Sequence, residues 1–319
     1  MAAKTQSAPR CSIVIRAFNE EQHLGALLQS IQAQTAQDVE TILVDSGSTD
    51  DTLAIAARFP VKILHIEPEE FTFGRSLNRG IAAATAPIVV LASAHVLPTD
   101  ERWLEHLLAP FDDPQVALSY GKQRGGLHSA FSEDQHWRRW FPDVSDTDQA
   151  SSYCNNANAA IRRSLWQEQA YDEELTGLED LAWASWARQA GHRIAYVAEA
   201  GVTHFHSENA AQTQNRYRRE AIALKAILPD SRFSFFNFVS LFVRRSLADW
   251  WAALRRGVLL RHALAIPRYR FLQYWGTYRG YRQAGKLTRA MLQVFYYPPS
   301  SLEPRQSEGG YRERTQESG

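Results

Sequence analysis

The chain has 319 residues, of which 45% are apolar and 22% charged, so it can bury a substantial core. This composition excludes a mainly disordered, collagen-like or disulfide-scaffold protein. The two cysteines, Cys11 and Cys154, are far apart in the sequence and favour a reducing compartment. The first ten residues carry no apolar stretch of signal-peptide length, and 18 consecutive apolar residues occur nowhere. We therefore expect no export signal, no spanning helix and a cytoplasmic location.

The charges are distributed unevenly, although the formal net charge is zero. Between Ser231 and Gln293, eleven arginines and one lysine stand against one acid, Asp249, which gives this segment +11 and the remaining chain −11. Aromatic residues are interleaved with the arginines, so we place a domain boundary near residue 228. The predicted segments are an N-terminal tail (1–10), a first domain (11–228), a basic aromatic helical extension (229–297) and a disordered tail (298–319).

In the first domain, short apolar runs alternate with segments whose apolar residues recur at helical spacing. Cys11–Ala17 predicts a strand, and apolar residues at helical spacing follow from Leu24 to Ile31. Apolar runs at 39–44, 61–66, 88–91 and 116–120 predict further strands with helices between them. This alternation favours an α/β fold with a mostly parallel sheet and helices on both faces. In such sheets ligands bind beyond the carboxyl ends of the strands.

Polar residues stand at these predicted carboxyl ends. Asp45 directly follows the second strand, and the run from Ser93 to His95 follows the fourth. The first strand is not followed by Gly-x-Gly-x-x-Gly, and the sequence contains no Walker A motif. A bound nucleotide would therefore be held in another way.

Five ordered motifs resemble those of family 2 glycosyltransferases of the GT-A (Rossmann-like) fold, and most of all its bacterial rhamnosyltransferase-like members. The resemblance covers residues 11 to about 228. It implies transfer of a sugar from a nucleotide-sugar donor to a hydroxyl group of a glycan or lipid-linked acceptor. The motifs are SIVIRAFNEE (12–21), VDSGSTDDT (44–52), FGRSLNRG (73–80), LED (178–180) and THFH (203–206).

The resemblance also implies individual binding residues. Asp45 would accept a hydrogen bond from the base, while Arg75 and Asn78 would approach the sugar diphosphate. The implied donor-binding residues are Ala17, Asn19, Glu20, Asp45, Ser46, Arg75, Asn78, Ser93, Ala94 and His95. The expected acceptor-side residues are Asn155, Asn156 and Trp183.

A divalent cation, Mn²⁺ or Mg²⁺, normally binds an Asp-x-Asp motif in this fold, but Ser93-Ala94-His95 replaces it here. His95 could bind the metal through a neutral imidazole, with His204 or His206 as a second ligand. We expect only one of His204 and His206 to point into the site. The alternative for each histidine is a hydrogen-bonded structural residue. If no metal binds, Arg75 and the histidines would carry the charge of the diphosphate.

Asp180 is the expected general base, and Glu179 the supporting carboxylate. Both precede tryptophans at helical spacing, which predicts a helix N-terminus, and the family's catalytic carboxylate lies at this motif. An acidic residue that only favours the helix dipole is the alternative. One base acting on the acceptor implies a single displacement and inversion at the anomeric carbon. Because the Asp-x-Asp motif is missing, a nucleotide-sugar-binding or scaffold protein without turnover is the alternative function.

The basic aromatic segment 231–293 is typical of two kinds of partner. Arginines and aromatic rings bind single-stranded nucleic acid, but they also bind anionic membrane surfaces through an interfacial helix. The transferase motifs favour the membrane, so we expect a peripheral protein at the inner face of the cell membrane and no nucleic acid. A helical layer with a solvated basic face is the alternative.

Overall fold

The computed structural model describes residues 9–126, 129–206, 208–284 and 287–297. Within them, eight strands form one sheet in the order β3-β2-β1-β4-β7-β6-β8-β5. The tail predicted at 298–319, and most of the one at 1–10, lie outside the described residues. The strands are β1 Cys11–Ala17, β2 Val39–Asp45, β3 Val61–His65, β4 Ile88–Ser93, β5 Val96–Pro98, β6 Val116–Gly125, β7 Asn158–Arg162 and β8 Arg193–His204.

Strand β1 lies inside the sheet and is paired in parallel with both β2 and β4. Ile13 and Ile15 pack on one face, and Val14 packs on the other, so both faces of the strand are buried. The register places Ala17 opposite Asp45 and Arg16 opposite Ser93, which brings the carboxyl ends of three strands to one edge. The expected α/β fold is confirmed.

The second half of the sheet is less regular than the alternating pattern predicts. Strand β7 is antiparallel to both β4 and β6, and β5 is antiparallel to β8. The predicted pattern did not include β7 and β8, because their sequences contain alanines and charged residues instead of a strong β-branched run. Strand β8 nevertheless continues to His204 and delivers the histidine motif to the same edge.

Helices cover both faces of the sheet. Helices α1 and α4 pack on one face through residues such as Leu27 and Trp103, and α3 and α7 pack on the other through Leu77 and Trp183. No helix among the described residues is long and apolar enough to span a membrane. The helices are α1 Leu24–Gln32, α2 Thr52–Ala56, α3 Phe73–Ala82, α4 Trp103–Leu108, α5 Phe131–Trp140, α6 Arg163–Glu168, α7 Glu179–Gln189, α8 Ala210–Ile227, α9 Phe235–Arg255, α10 Leu259–His262, α11 Ala265–Tyr281 and α12 Arg289–Tyr296.

Helix α11 holds α8 in place by close backbone packing. A Cβ atom at Gly276 would lie 2.5 Å from the carbonyl oxygen of Gln214, and one at Gly280 would lie 2.5 Å from that of Arg218. A larger residue at either position would separate the two helices. The helical extension therefore fixes the position of α8, which forms one wall of the cavity described below.

Candidate active site

A cavity of about 590 Å³ lies at the carboxyl ends of β1, β4 and β8, bordered by α7 and α8. This volume falls within the range of pockets that bind small molecules. Its walls combine histidines, carboxylates and arginines. The polar lining includes Arg16, Asn19, Glu20, Ser93, His95, Asn155, Asn156, Glu179, Asp180, His204, His206, Arg216, Arg219 and Glu220.

Three histidine rings lie together on this wall. The ring centres of His95 and His204 are 5.0 Å apart, and those of His204 and His206 are 4.2 Å apart. One potential metal-binding nitrogen from each ring lies within 4.8 Å of the other two. The expectation that only one of His204 and His206 would face the site was wrong, since residues two apart along an extended segment share a face.

Each of these histidines is oriented by a side-chain oxygen next to its Nδ1 atom. A carboxylate or amide oxygen accepts hydrogen bonds only, so Nδ1 carries a hydrogen, and Nε2 has a lone pair whenever the ring is neutral. Metal-binding histidines are commonly oriented by such partners. The pairs are His95 with Glu20 Oε1 (2.6 Å), His204 with Gln123 Oε1 (2.8 Å) and His206 with Glu133 Oε1 (2.9 Å).

The His204 ring carries a buried Nε2 atom with no hydrogen-bond partner among the described residues. Burial, together with the charges of His206 and His95, holds the pKa of His204 well below its usual value, so the ring is neutral near pH 7. A neutral imidazole with an available lone pair is a good ligand for a divalent transition metal. The three histidines therefore fit a divalent cation, although both carboxylates of the usual motif are absent.

The other two histidines are coupled to carboxylates. Burial alone would lower the pKa of His95, but the charge and hydrogen bond of Glu20 raise it. Burial alone would raise the pKa of Glu133, but its contacts with His206 and Arg216 lower it to about 2. Glu133 is therefore ionised and a strong hydrogen-bond acceptor for His206 throughout the neutral pH range.

Asp180 occupies the first turn of α7, and it is buried. Its carboxylate accepts hydrogen bonds from the backbone N–H of Leu181 (2.8 Å) and of Asn156 (3.1 Å). Burial and the charge of Glu179 raise the pKa of Asp180 to about 7. A carboxyl group with this pKa exchanges its proton near neutral pH, which suits a general base.

The neighbouring Glu179 carboxylate is also buried and faces a cation. Its Oε1 atom lies 3.6 Å from Nη1 of Arg16 and accepts a long hydrogen bond, 3.5 Å, from the side chain of Asn156. Arg16 stands on β1 and Asn156 on the segment before β7, so three parts of the sheet edge meet at this carboxylate. Glu179 thus links Arg16 to the turn that carries Asp180.

Backbone strain is found on the cavity wall. Leu178, directly before α7, has a φ angle of +58°, and Asn19, after β1, has one of +54°. A non-glycine residue in this left-handed region costs about 1–2 kcal/mol. Both residues line the cavity, in keeping with the tendency of strain to concentrate at functional sites.

The structure brings most of the sequence-predicted site residues to this one cavity. Glu20 reaches it, but its carboxylate orients His95 and is not directed to a nucleoside. The predicted residues on the cavity wall are Asn19, Glu20, Ser93, His95, Asn155, Asn156, Glu179, Asp180, His204 and His206.

Two expected donor-binding residues, Ser46 and the expected base contact Asp45, do not line the cavity. The Tyr297 hydroxyl donates to the carbonyl oxygen of Ser46 at 3.1 Å, and its ring centre lies 4.6 Å from that of Phe18. The Asp45 carboxylate accepts from the backbone N–H of Gly47 at 3.0 Å. Asp45 and Ser46 therefore shape a loop beneath the last helix of the described chain.

The expected diphosphate residues Arg75 and Asn78 also lie outside the cavity lining. The Arg75 guanidinium donates to Glu173 at 2.7 Å and to the carbonyl oxygen of Glu70 at 2.8 Å. Asn78 donates to the carbonyl oxygen of Tyr171 at 2.9 Å and accepts from its N–H at 3.0 Å. These bonds hold the segment before α7 against α3, so neither residue is placed to contact a diphosphate in this cavity.

Three further expected residues belong to the core. Ala17, Ala94 and Trp183 are at most 4% exposed and pack in the two hydrophobic layers of the sheet. The Trp183 indole N–H donates to the carbonyl oxygen of Gln169, and the residue does not line the cavity. The spacing of the motif correctly places Trp183 on α7, but on its buried face.

Helix α8 contributes residues that the motifs did not indicate. Arg216, Arg219 and Glu220 line the cavity from this helix, which follows the last recognisable motif. Their recurrence at i, i+3 and i+4 is a signal that one helix face is polar, but it does not say which surface that face covers. Only the packing of α8 against α11 decides this.

Residues 12–170 match the model of the family described as Glycosyl transferase family 2. The chain is 33% identical over 200 residues to the O-antigen chain rhamnosyltransferase WbaN of Salmonella anatum, an alignment that covers 59% of this chain and 63% of the relative. It is 26% identical over 221 residues to the O-antigen chain rhamnosyltransferase RfbN of Salmonella typhimurium, covering 65% and 70%.

Two solved structures share the fold. A mannosyltransferase, PcManGT from Pyrobaculum calidifontis, in complex with GDP-Man and Mn²⁺, aligns with a TM-score of 0.58 and 18% identity over 91% of this chain and 87% of its own. S. aureus TarS 1–349 in complex with UDP-GlcNAc aligns with a TM-score of 0.51 and 16% identity, over 85% and 90%. At this identity the likeness confirms the expected GT-A architecture.

Proposed function

Because residues 12–170 place the chain in glycosyltransferase family 2, with O-antigen rhamnosyltransferases among its relatives, we propose that it transfers a sugar from a nucleoside diphosphate to a hydroxyl group, with inversion. The observation that carries this proposal is the shared cavity: a carboxyl group with a pKa near neutrality and a histidine cluster lie on the same wall. The first group suits deprotonation of an acceptor, and the second suits a charged leaving group.

Asp180 acts as the general base in this proposal. The acceptor hydroxyl donates to its carboxylate, which takes the proton as the oxygen attacks the anomeric carbon and the bond to the diphosphate breaks. One carboxylate working in one displacement inverts the configuration of that carbon. Glu179 keeps the local field negative, so it supports the raised pKa of Asp180.

His95, His204 and His206 would hold the divalent cation. When bound, the cation stabilises the negative charge that develops on the departing nucleoside diphosphate. Three nitrogen donors without a carboxylate favour Mn²⁺ or a later transition metal over Mg²⁺, which prefers oxygen ligands. Glu20, Gln123 and Glu133 keep each Nδ1 atom occupied, which leaves Nε2 as the metal-binding atom of each neutral ring. In His95 a cation at Nε2 would replace the contact with the Ser93 hydroxyl at 3.1 Å.

Asn155 and Asn156 supply polar groups on the acceptor side of the cavity. Asn156 is anchored on both sides, because its backbone N–H binds Asp180 and its side-chain oxygen accepts from Tyr171. The relatives named above act on O-antigen chains, and we propose a glycan or lipid-linked glycan as the acceptor class here.

An exposed apolar stripe on α9 supports peripheral binding to the inner face of the cell membrane. Its members recur at intervals of three and four residues, so they share one helix face, and Trp251 is 61% exposed. Arg244 and Arg255 are exposed beside it, which matches an anionic bilayer surface. The stripe consists of Phe236, Val239, Val243, Leu247, Trp251 and Leu254.

Vesicle flotation tests this membrane assignment. The wild-type chain should float with vesicles that contain anionic phosphatidylglycerol and stay behind with phosphatidylcholine alone, and Trp251→Glu should abolish flotation. Val144→Glu, at a position 76% exposed outside the extension, is the matched control and should float normally. Flotation of Trp251→Glu like wild type would contradict the assignment, and self-association lost in this variant would assign the stripe to a second copy.

Calorimetric titration with UDP, dTDP and GDP, each in Mn²⁺, Mg²⁺ and EDTA, tests the donor class. We expect one nucleotide to bind in Mn²⁺, more weakly in Mg²⁺, and much more weakly in EDTA. Turnover is measured as release of that nucleotide from its rhamnose conjugate in the presence of membrane extract. If none of the three binds under any condition, the transferase function is wrong; if one binds without turnover, the chain is a nucleotide-sugar-binding protein.

A further inference from the structure

Two arginines on the cavity wall have hydrogen-bonding capacity that the protein does not use. Nη1 of Arg16 and Nε of Arg219 are buried, and neither has a hydrogen-bond partner among the described residues. Arg16 is ion-paired with Glu179 at 3.6 Å, too long for a hydrogen bond. Nη1 of Arg219 donates a hydrogen bond to the carbonyl oxygen of Phe295 at 3.1 Å. Buried guanidinium N–H groups without an acceptor are costly, which points to a ligand that accepts from them.

The two guanidinium groups contact the same aromatic ring, although they come from distant parts of the chain. The Cζ atom of Arg16 is 5.0 Å from the ring centre of Phe73, and that of Arg219 is 4.4 Å from the same centre. Cation–π contacts of this length orient both groups around one aromatic ring. An anion bound beside this ring would be attracted by both positive charges.

The other cavity arginine and the expected diphosphate arginine are already engaged. Arg216 donates to Glu133 at 2.7 Å and to Glu208 at 2.9 Å. Arg75 is bound to Glu173 outside the cavity lining. Arg16 and Arg219 are therefore the arginines of this wall whose buried nitrogens are left for a bound anion.

Arg16 also lies between the histidine cluster and the base. Its Nη1 atom lies 3.6 Å from Oε1 of Glu179, the residue directly before Asp180. In β1 its backbone is paired with Ser93, which precedes the histidine motif. A group bound to Arg16 therefore occupies the same cavity as the histidine cluster and the base.

We propose that Arg16 and Arg219 bind the diphosphate of the sugar donor and stabilise its charge as it departs. The inference rests on the proposed transferase function. Guanidinium groups match the planar oxygen pairs of phosphates, and their charge-assisted hydrogen bonds strengthen as the leaving group becomes a full anion. The pair takes over, in this chain, part of the role that a carboxylate-bound cation would otherwise fill alone.

Titration with inorganic pyrophosphate in EDTA measures binding of the anion to the arginine pair in the absence of a cation. Arg16→Gln and Arg219→Gln should each weaken pyrophosphate binding about tenfold or more, since each removes a charged hydrogen-bond donor. The same two variants should weaken binding of the selected nucleoside diphosphate in Mn²⁺. Arg193→Gln is the matched control, because Arg193 is paired with Asp113 on the surface, and it should bind like wild type.

Two further measurements keep folding and function separate. Arg219→Lys, which keeps the charge, should recover part of the lost affinity, and thermal unfolding of every variant shows whether it is folded. If the wild type binds a nucleoside diphosphate and both glutamine variants bind it equally well, the diphosphate-binding role of the arginine pair is wrong, while the transferase function stands. If Arg75→Gln alone weakens binding, the diphosphate lies near α3 and the inference is overturned. If no nucleotide binds the wild type, the proposed function itself fails.

Discussion

Buried arginines serve opposite purposes in the helical extension and in the cavity. In the extension, Arg270 donates to both oxygens of Asp249, to the side chain of Gln273 and to the carbonyl oxygen of Ser132. In the cavity, buried nitrogens of Arg16 and Arg219 have no such acceptor among the described residues. The comparison teaches that burial and charge alone do not mark a site. What distinguishes Arg16 and Arg219 from Arg270 is hydrogen-bonding capacity that folding leaves unused on the wall of a cavity.

Asp180→Asn gives the largest expected effect on the cavity side of this comparison. The asparagine cannot take a proton, so turnover should fall about 10²–10⁴-fold while the Kd for the nucleotide stays within about twofold. The free energy of unfolding should not fall at pH 8. Because the pKa of Asp180 is raised, its ionised form is disfavoured in the folded protein, and the stabilisation that its protonated form provides is already lost above pH 7.

Steady-state kinetics and thermal unfolding measure these effects, with Asp112→Asn, on an exposed turn, as the control. Turnover by Asp180→Asn at the wild-type rate would remove Asp180 from the mechanism. A large loss of stability would instead give it a structural role like that of Asp249.

Much of this site can be predicted from the sequence, because strands with polar residues at their carboxyl ends determine which groups meet. His95 is found in this way, Asp180 by the family motif at a predicted helix N-terminus, and the motif around His204 adds the rest of the cluster. The positions of Tyr297 and Arg219 cannot be predicted in this way. Tyr297 is placed by a hydrogen bond to Ser46, 251 residues earlier in the chain, and Arg219 is placed by the packing of α8 on α11. Arg75 shows the reverse: a motif residue whose charge is taken up by Glu173.

Asp249→Asn tests the extension side of the comparison. The Asp249 and Arg270 side chains are 5% and 4% exposed, and the substitution leaves a buried guanidinium without its counter-charge. The free energy of unfolding should fall by about 3–5 kcal/mol, while nucleotide binding by the folded protein is unchanged. Urea unfolding followed by fluorescence measures the loss. Asp113→Asn, which breaks the exposed pair with Arg193, should cost less than about 1 kcal/mol; equal losses would make the two pairs equivalent.

Glu133→Gln addresses a residue with two partners on the cavity wall. Its carboxylate orients His206 at 2.9 Å and holds Arg216 at 2.7 Å, so one group supports the cation ligands and the packing of α8. Loss of this support should weaken Mn²⁺ binding about 10–100-fold, as measured by electron paramagnetic resonance of the free ion. His204→Ala, which removes a ligand, should weaken it at least as much. Unchanged Mn²⁺ affinity in both variants would make the cluster structural, like the ion pair of the extension.

Glu179→Gln gives the smallest expected effect, and it tests most directly whether Asp180 is the group that titrates. The charge of Glu179 is the second cause, after burial, of the raised pKa of Asp180, so its removal should lower that pKa. In the wild type, kcat/KM should fall tenfold per pH unit below about 7, because the base becomes protonated. In the variant this acid limb should move to lower pH, with a smaller loss above pH 8. A fixed acid limb would mean that another group titrates, whereas a shifted one would tie the ionisation of Asp180 directly to turnover.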